Sequence, residues 1–279
     1  MAVKVVTDST CDLPPEVARD LGIAIVPIYV RFGAAVYRDG VDITPGQLYP
    51  KLIASDVHPA TSQPTPEDFA AVYKEASRDA DAIVSVHISS RISGTFNSAV
   101  IAAKAFNGVC PVEVVDSRFN SAGLGLAALA AARAAKSGAG LAEVLAETNL
   151  AISQVRMFGL FRTMKYLARS GRINKAVAAA SSVLNVMPLL TFHDGEIARA
   201  GLVRTVGRGM EKIIEFVRKH APVTEITVVH SRAAEEAEKL RGWLAEFLNA
   251  EKIMVSELGA GLGVHGGPGV LLIGLRRAG

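Results

Sequence analysis

Short apolar runs rich in β-branched residues alternate with stretches of helical character along the first half of the chain. Runs 3–7, 23–32, 82–88 and 112–115 read as strands. Leu13-Pro14-Pro15-Glu16 opens a helix with Asp12 as its cap. Thr44-Pro45 and Thr65-Pro66-Glu67-Asp68 open two more, each with a capping hydroxyl followed by proline, the second with acids in its first turn. A helix over 93–106, an Ala-rich helix over about 119–137 and one from Gly138-Ala139-Gly140 to about 156 follow. This βα alternation predicts a mostly parallel sheet flanked by helices.

Beyond 156 the pattern changes. Strand-like 157–163 leads to helices at 164–169 and, Ala-rich, at 175–184. Apolar runs 186–192 and 196–204 flank His193-Asp194-Gly195, and Asp-Gly between such runs marks a hairpin. Helix 206–220, strand 225–230, helix 233–249, strand 252–257 and strand 270–275 complete the chain. The expected class is α/β. An N-terminal, mostly parallel α/β sheet domain spans 1–153, and a C-terminal α+β domain with a mixed sheet spans 154–279.

Half of the 279 residues are hydrophobic, enough for a large core. A net charge of +3 without a dense Lys/Arg stretch gives no footprint for nucleic acid. Cys11 and Cys110 are too few for a disulfide framework or a four-cysteine zinc site, and no His-x-x-x-His or Cys-x-x-Cys spacing supports a metal. The first residues run directly into a strand without a signal-peptide pattern, and no apolar run reaches the length of a membrane span. The expectation is a soluble, cytoplasmic protein.

Polar clusters interrupt the apolar pattern at element ends: Thr7-Asp8-Ser9-Thr10, Thr61-Ser62-Gln63, the run His87-Ile88-Ser89-Ser90-Arg91-Ile92-Ser93-Gly94-Thr95, and Asp116-Ser117. Three of them (7–10, 89–95, 116–117) are expected at the carboxyl edge of the parallel strands, where open sheets bind ligands. Ser93 sits where a strand turns into a helix, so it is a nucleophile, an anion ligand or a cap. A fifth cluster, Gly259 to Gly269 with His265 as its one ionisable residue, matches G-x-G-x-x-G in form. The apolar run after Pro268 makes the next element a strand, which excludes the dinucleotide reading and predicts a loop with close backbone approach. A serine hydrolase using Ser93 and His265, with Asp8 or Asp116 as orienter, is the alternative function. Arg91 and Thr95 stand where a nucleophile elbow needs glycines.

Five stretches in order carry a resemblance. They are Thr7-Asp8-Ser9-Thr10-Cys11-Asp12-Leu13-Pro14, Thr61-Ser62-Gln63-Pro64, the run from Ile88 to Ala99 with Val115-Asp116-Ser117, Tyr166 to Ile173, and Gly263 to Gly269. Through them nearly the whole chain resembles the DegV family of bacterial fatty-acid-binding proteins. The resemblance implies two domains with a long-chain fatty acid, such as palmitate or oleate, in a buried tunnel between them. It implies a carboxylate held by Thr61 and Ser93, with Gly94 and His265 in the same network and Ser62, Thr95, Asp8 and Asp116 in support. It further implies a non-enzymatic, monomeric carrier with no cofactor, transient contact with a membrane surface for lipid exchange, and a separate fatty acid kinase that makes the acyl phosphate. Val186-Met187-Pro188 and Ser170-Gly171 depart from the family pattern.

Overall fold

The computed structural model describes residues 2–54, 57–108, 110–173 and 186–279. In chain order, β1 (Val3–Asp8) leads through a 3-10 turn (Ser9–Cys11) to α1 (Pro15–Asp20), β2 (Ile23–Val26), β3 (Tyr29–Phe32) and β4 (Ala35–Arg38). Then come α2 (Pro45–Ala54), β5 (Ala60–Ser62), α3 (Pro66–Ala76), β6 (Ala82–His87), α4 (Thr95–Ala105) and β7 (Val112–Asp116). Strands β2-β1-β6-β7 form a four-stranded, wholly parallel sheet. Its central strand β6 is buried at every position, which explains its unbroken apolar run.

Two long helices, α5 (Ser121–Lys136) and α6 (Leu141–Gln154), lead to β8 (Val155–Leu160) and α7 (Lys165–Ser170). The remaining described elements are β9 (Met187–His193), β10 (Glu196–Val203), α8 (Val206–His220), β11 (Val223–His230), α9 (Ala234–Leu244), β12 (Met254–Glu257), α10 (Ala260–Gly266) and β13 (Leu271–Arg277). Their sheet is six-stranded and mixed, ordered β10-β9-β8-β13-β11-β12, with β11–β12 its parallel pair. The protein is thus α/β with one parallel and one mixed sheet. Among the described residues no helix is long and apolar enough to cross a membrane.

Helix α5 lies between the two sheets and packs on β1 and β13 at once. All its residues from Ser121 to Ala132 are buried, because a helix covered on both sides has no polar face. Residues two apart on a helix point in nearly opposite directions. A β-carbon at Gly123 would meet the Met157 sulfur of β8 at 2.6 Å, and one at Gly125 the Cys11 carbonyl oxygen at 2.8 Å. The alanines and glycines of α5 therefore fill a narrow space between sheets.

Several elements differ from the sequence expectation. The run 23–32 splits at Pro27 and Ile28, and its second half enters a three-stranded antiparallel sheet, β4-β3-β5, that the pattern did not announce. Pro27 has no N–H for a ladder, so the strand changes sheet there. Asp12 adopts a left-handed backbone and turns away from α1, which begins after Pro14 with no side-chain cap. Thr65, by contrast, forms the expected capping box with Asp68. The glycine cluster is a helix over Ala260–Gly266 rather than a loop. The helix expected over 233–249 ends at Leu244. The Ala-rich helix expected at 175–184 lies outside the described residues. The hairpin at Asp194-Gly195 forms as expected: both residues have positive φ, and His193 pairs with Glu196.

Candidate functional site

The period of two in a strand decides which hydroxyl of Thr61-Ser62 faces inward. Thr61 pairs with fully buried Val30, and Ser62 with Tyr29 on the other face. Thr61 Oγ1 lies 2.8 Å from His265 Nε2, a contact across 204 residues. His265 is carried by α10, which approaches the small sheet closely. A β-carbon at Gly261 would sit 2.4 Å from Ile28, and one at Gly263 2.6 Å from Leu48. The glycines are thus explained by close approach inside a helix that packing stabilises against their poor propensity.

Two carboxylates hold the start of α10. Asp12 accepts from the N–H of Gly259 at 2.8 Å and from the Ser121 hydroxyl at 2.5 Å. Asp39 accepts from the Ser9 hydroxyl at 2.8 Å and from the N–H groups of Gly261 and Ala260. Burial pushes the Asp12 carboxyl up to about 8 and Asp39 up to about 6. At the other end of α10, burial, then Arg172 and His58, bring His265 down to about 4. His265 is therefore a neutral imidazole near pH 7, and its Nδ1 is buried with no hydrogen-bond partner among the described residues.

Thr61, Ser93 and His265 line one cavity, together with Arg172. The rest of its wall is mainly apolar, including Met157, Phe158, Phe161, Leu190, Phe192 and Leu272 from the mixed sheet and its flank, and Ile88 and Ile92 from the parallel sheet's edge. The cavity is narrow, with a volume of about 100 Å³. Of α5, only Ser121 touches it. Ile28, Thr61, Ile92, Ser93, Arg172 and Ile197 also border a polar vestibule. Ser62, Gln63, Gly94 and Thr95 line that vestibule and not the cavity.

Ser93 lies one residue before Gly94, the N-cap of α4, which has no side-chain cap. The Ser93 Oγ accepts from the Thr95 N–H at 3.2 Å and lies 2.9 Å from Thr95 Oγ1. The Thr95 amide is thus already engaged. A β-carbon at Gly94 would lie 2.0 Å from the side-chain oxygen of Gln63, the flexible end of that residue. Gln63 in turn donates to Ser98 at 3.1 Å.

Asp8 and Asp116 line neither the cavity nor the vestibule. Asp116 accepts from the Ser90 hydroxyl at 2.6 Å and the Arg118 N–H at 2.8 Å, shaping the serine run from outside. Asp8 is fully buried and lies 3.0 Å from His87 Nδ1. His87 Nε2 lies 2.6 Å from Ser85 Oγ, which lies 2.9 Å from the Tyr73 hydroxyl. The molecule thus contains an Asp–His–Ser chain, but from Asp8, His87 and Ser85, each with no exposed surface. The nucleophile–base contact between Ser93 and His265 is not formed: Ser93 hydrogen-bonds to Thr95, and His265 to Thr61. Among the described residues no group of three or more His, Cys, Asp or Glu side chains is placed to hold a metal ion.

The sequence profile of the DegV family, described as uncharacterised proteins, matches residues 2–277. The chain belongs to the DegV family. A DegV domain-containing protein of Deinococcus radiodurans is 34% identical over 281 residues, covering 99% of this chain and 98% of that one. The solved structure of a DegV family protein from Thermus thermophilus, described by its fatty acid binding, is 37% identical with a TM-score of 0.91, covering 100% of both chains. DegV from Bacillus subtilis, described as a fatty acid binding protein, is 30% identical with a TM-score of 0.88, again covering 100% of both. Within this DegV chain, sequence reasoning missed two features: Arg172 at the cavity margin and the carboxylates under α10. The pairing of Asp12 and Asp39 with α10 carried no signal, because their partners Gly259 and Gly261 lie more than two hundred positions away.

Proposed function

We propose that this chain is a non-enzymatic carrier for one long-chain fatty acid. The observation that carries the reading is the Thr61–His265 pair, set with Ser93 and Arg172 at the vestibule margin of a mainly apolar cavity. Burying a methylene is worth about 0.8 kcal/mol, so about 14 of them supply on the order of 11 kcal/mol before ordering costs. The carboxylate needs hydrogen-bond donors when it leaves water. With its proton on Nε2, His265 donates to Thr61 and frees the Thr61 proton for the acid, while Ser93 and the Gly94 amide approach from the vestibule side. The Arg172 guanidinium adds positive charge.

The fatty acid binding described for the Thermus and Bacillus relatives supports the same ligand class here. Presentation to a separate fatty acid kinase is the finer part of the proposal, supported by a polar vestibule that gives access to the carboxylate end. Two domains (1–153 and 154–279), a monomeric state, a cytoplasmic location and transient membrane-surface contact during exchange belong to the same reading. Protein purified under native conditions and extracted is expected to yield one equivalent of fatty acid by mass spectrometry. No acid, and no uptake of added palmitate or oleate, overturns the carrier. Acyl phosphate formed from the loaded protein by a fatty acid kinase with ATP supports presentation, and its absence with an active kinase overturns it.

A further inference from the structure

The cavity wall carries a second polar set, outside the group assigned to the carboxylate. Thr10, Asn120 and Ser121 line the cavity, and none of them borders the vestibule, in contrast with Thr61, Ser93 and Arg172, which line both. Asn120 and Ser121 are consecutive at the start of α5, and Thr10 belongs to the 3-10 turn that packs against that helix.

Asn120 is the N-cap residue of α5, with the extended backbone usual at that position (φ −131°, ψ −170°). Asparagine is among the strongest N-cap residues, because its side-chain oxygen reaches the free N–H groups of the first turn. Here it makes no cap hydrogen bond, and among the described residues its carboxamide has no hydrogen-bond partner. Its backbone carbonyl accepts from the N–H groups of Gly123 and Leu124 at 3.0 and 3.1 Å. The side chain is thus left to the cavity, with two N–H donors and one carbonyl acceptor.

The two hydroxyls beside it are committed differently. Thr10 donates to Asp8 at 2.5 Å, and Ser121 donates to Asp12 at 2.5 Å. With those protons spent on buried carboxylates, each oxygen keeps acceptor capacity. The left-handed backbone of Ser121, φ 43°, is held by its bond to Asp12, which fixes the turn that carries Asn120.

We propose that Thr10, Asn120 and Ser121 form a second polar subsite, and that the preferred ligand is a long-chain fatty acid with a hydroxyl on its chain. The inference rests on the carrier reading above. A plain acyl chain drawn over Asn120 strips the carboxamide of water and leaves it unpaired, which is unfavourable in a mainly apolar wall. A chain hydroxyl accepts from an Asn120 N–H and donates to the oxygen of Thr10 or Ser121. A site built to pair a hydroxyl discriminates against the analogue that lacks it more strongly than an apolar wall discriminates by size.

The test uses the full, delipidated chain and a displacement assay with a fluorescent 16-carbon fatty acid. The competitors are octadecanoic acid and monohydroxy octadecanoic acids with the hydroxyl stepped along the chain. For the native sequence, at least one hydroxy acid is expected to bind about tenfold tighter than octadecanoic acid. Asn120→Leu, which keeps the side-chain volume and removes the polar atoms, is expected to abolish that preference and to bind octadecanoic acid about threefold tighter than the native protein does. Asn120→Ala is expected to abolish the preference too, and decides the matter if Asn120→Leu does not fold. Thr61→Ala is the control and is expected to weaken plain and hydroxy acids by the same factor, because it acts on the carboxylate they share. The proposal is overturned if no hydroxy acid binds the native protein more tightly than octadecanoic acid, or if the preference survives in a folded Asn120 variant. Equal weakening of all acids by Asn120→Leu overturns it as well, since that outcome puts Asn120 with the carboxylate. If no acid of any kind binds the native protein, the carrier reading itself fails. Binding without preference removes only the subsite.

Discussion

Two histidines of this molecule, His87 fully buried and His265 partly buried, differ in how their hydrogen bonds are closed. His87 has partners on both ring nitrogens, Asp8 at 3.0 Å and Ser85 at 2.6 Å, and Asp8 further accepts from the N–H groups of Ile88 and Thr10 at 3.1 Å each. His265 has Thr61 on one nitrogen and, among the described residues, no partner on the other. The first network is closed within the protein and ties together the ends of β1 and β6. The second is left open at a cavity margin. A closed polar network in a core fixes conformation, whereas in the second the Thr61 hydroxyl proton, freed when His265 Nε2 donates to Thr61, is left for a ligand acceptor.

The comparison breaks first at Asp8. Asp8→Ala strips His87, Ile88 and Thr10 of a shared acceptor in a fully buried site, so a loss of about 3–5 kcal/mol is expected in urea unfolding. A loss below about 1 kcal/mol would mean that the closed network is not a structural brace. His265→Ala should show the reverse weighting. It removes one neutral hydrogen bond, costing about 1 kcal/mol of stability, while retention of a fatty acid in an exchange assay falls at least tenfold. Equal retention would take His265 out of the site.

pH sharpens the contrast at the two ends of α10. His265 is lowered to about 4 in the folded protein, so the unfolded chain takes up its proton first. Its contribution to stability is complete above the ordinary histidine range and is lost as pH falls toward 4. Asp12 is raised to about 8, so its contribution is present at low pH and is lost as pH rises through about 8. Unfolding midpoints across pH 4–9 are expected to flatten on the acid side in His265→Gln and on the alkaline side in Asp12→Asn. The smallest effect is expected from Gly94→Ala. The side chain that must move is the flexible end of Gln63, so stability should change by less than about 1 kcal/mol while the Gln63–Ser98 contact is lost. A larger loss in a thermal melt would show that Gln63 is held more firmly than its one contact accounts for.

What could be read in the sequence was what local pattern controls. The buried run of β6, the Thr65–Asp68 capping box and the Asp194-Gly195 hairpin each follow from neighbours within a few positions. The motifs containing Thr61, Ser93 and His265 pointed to residues that the fold gathers around one cavity. Long-range effects stayed hidden. Asp12 looks like a cap for the helix beside it but serves Gly259 and Ser121 instead. Seven residues rich in glycine look like a loop, yet α2 and the small sheet hold them as a helix. Asp8 sits in a site-like motif and belongs to the closed network, because strand pairing puts it beside His87.

The Ala-rich filling of α5 also constrains how the molecule can move. Ala122 approaches Gly274 of the mixed sheet so closely that a β-carbon there would lie 2.7 Å away, while Gly125 meets the turn after β1. A clamshell motion that parted the sheets would have to wet this close-packed layer along most of the helix. For the proposed carrier, exchange of the acid would then proceed by rearranging the cavity's rim while the two sheets keep their spacing. The α5 amides are expected to be among the slowest in the molecule to exchange with solvent, with or without cargo.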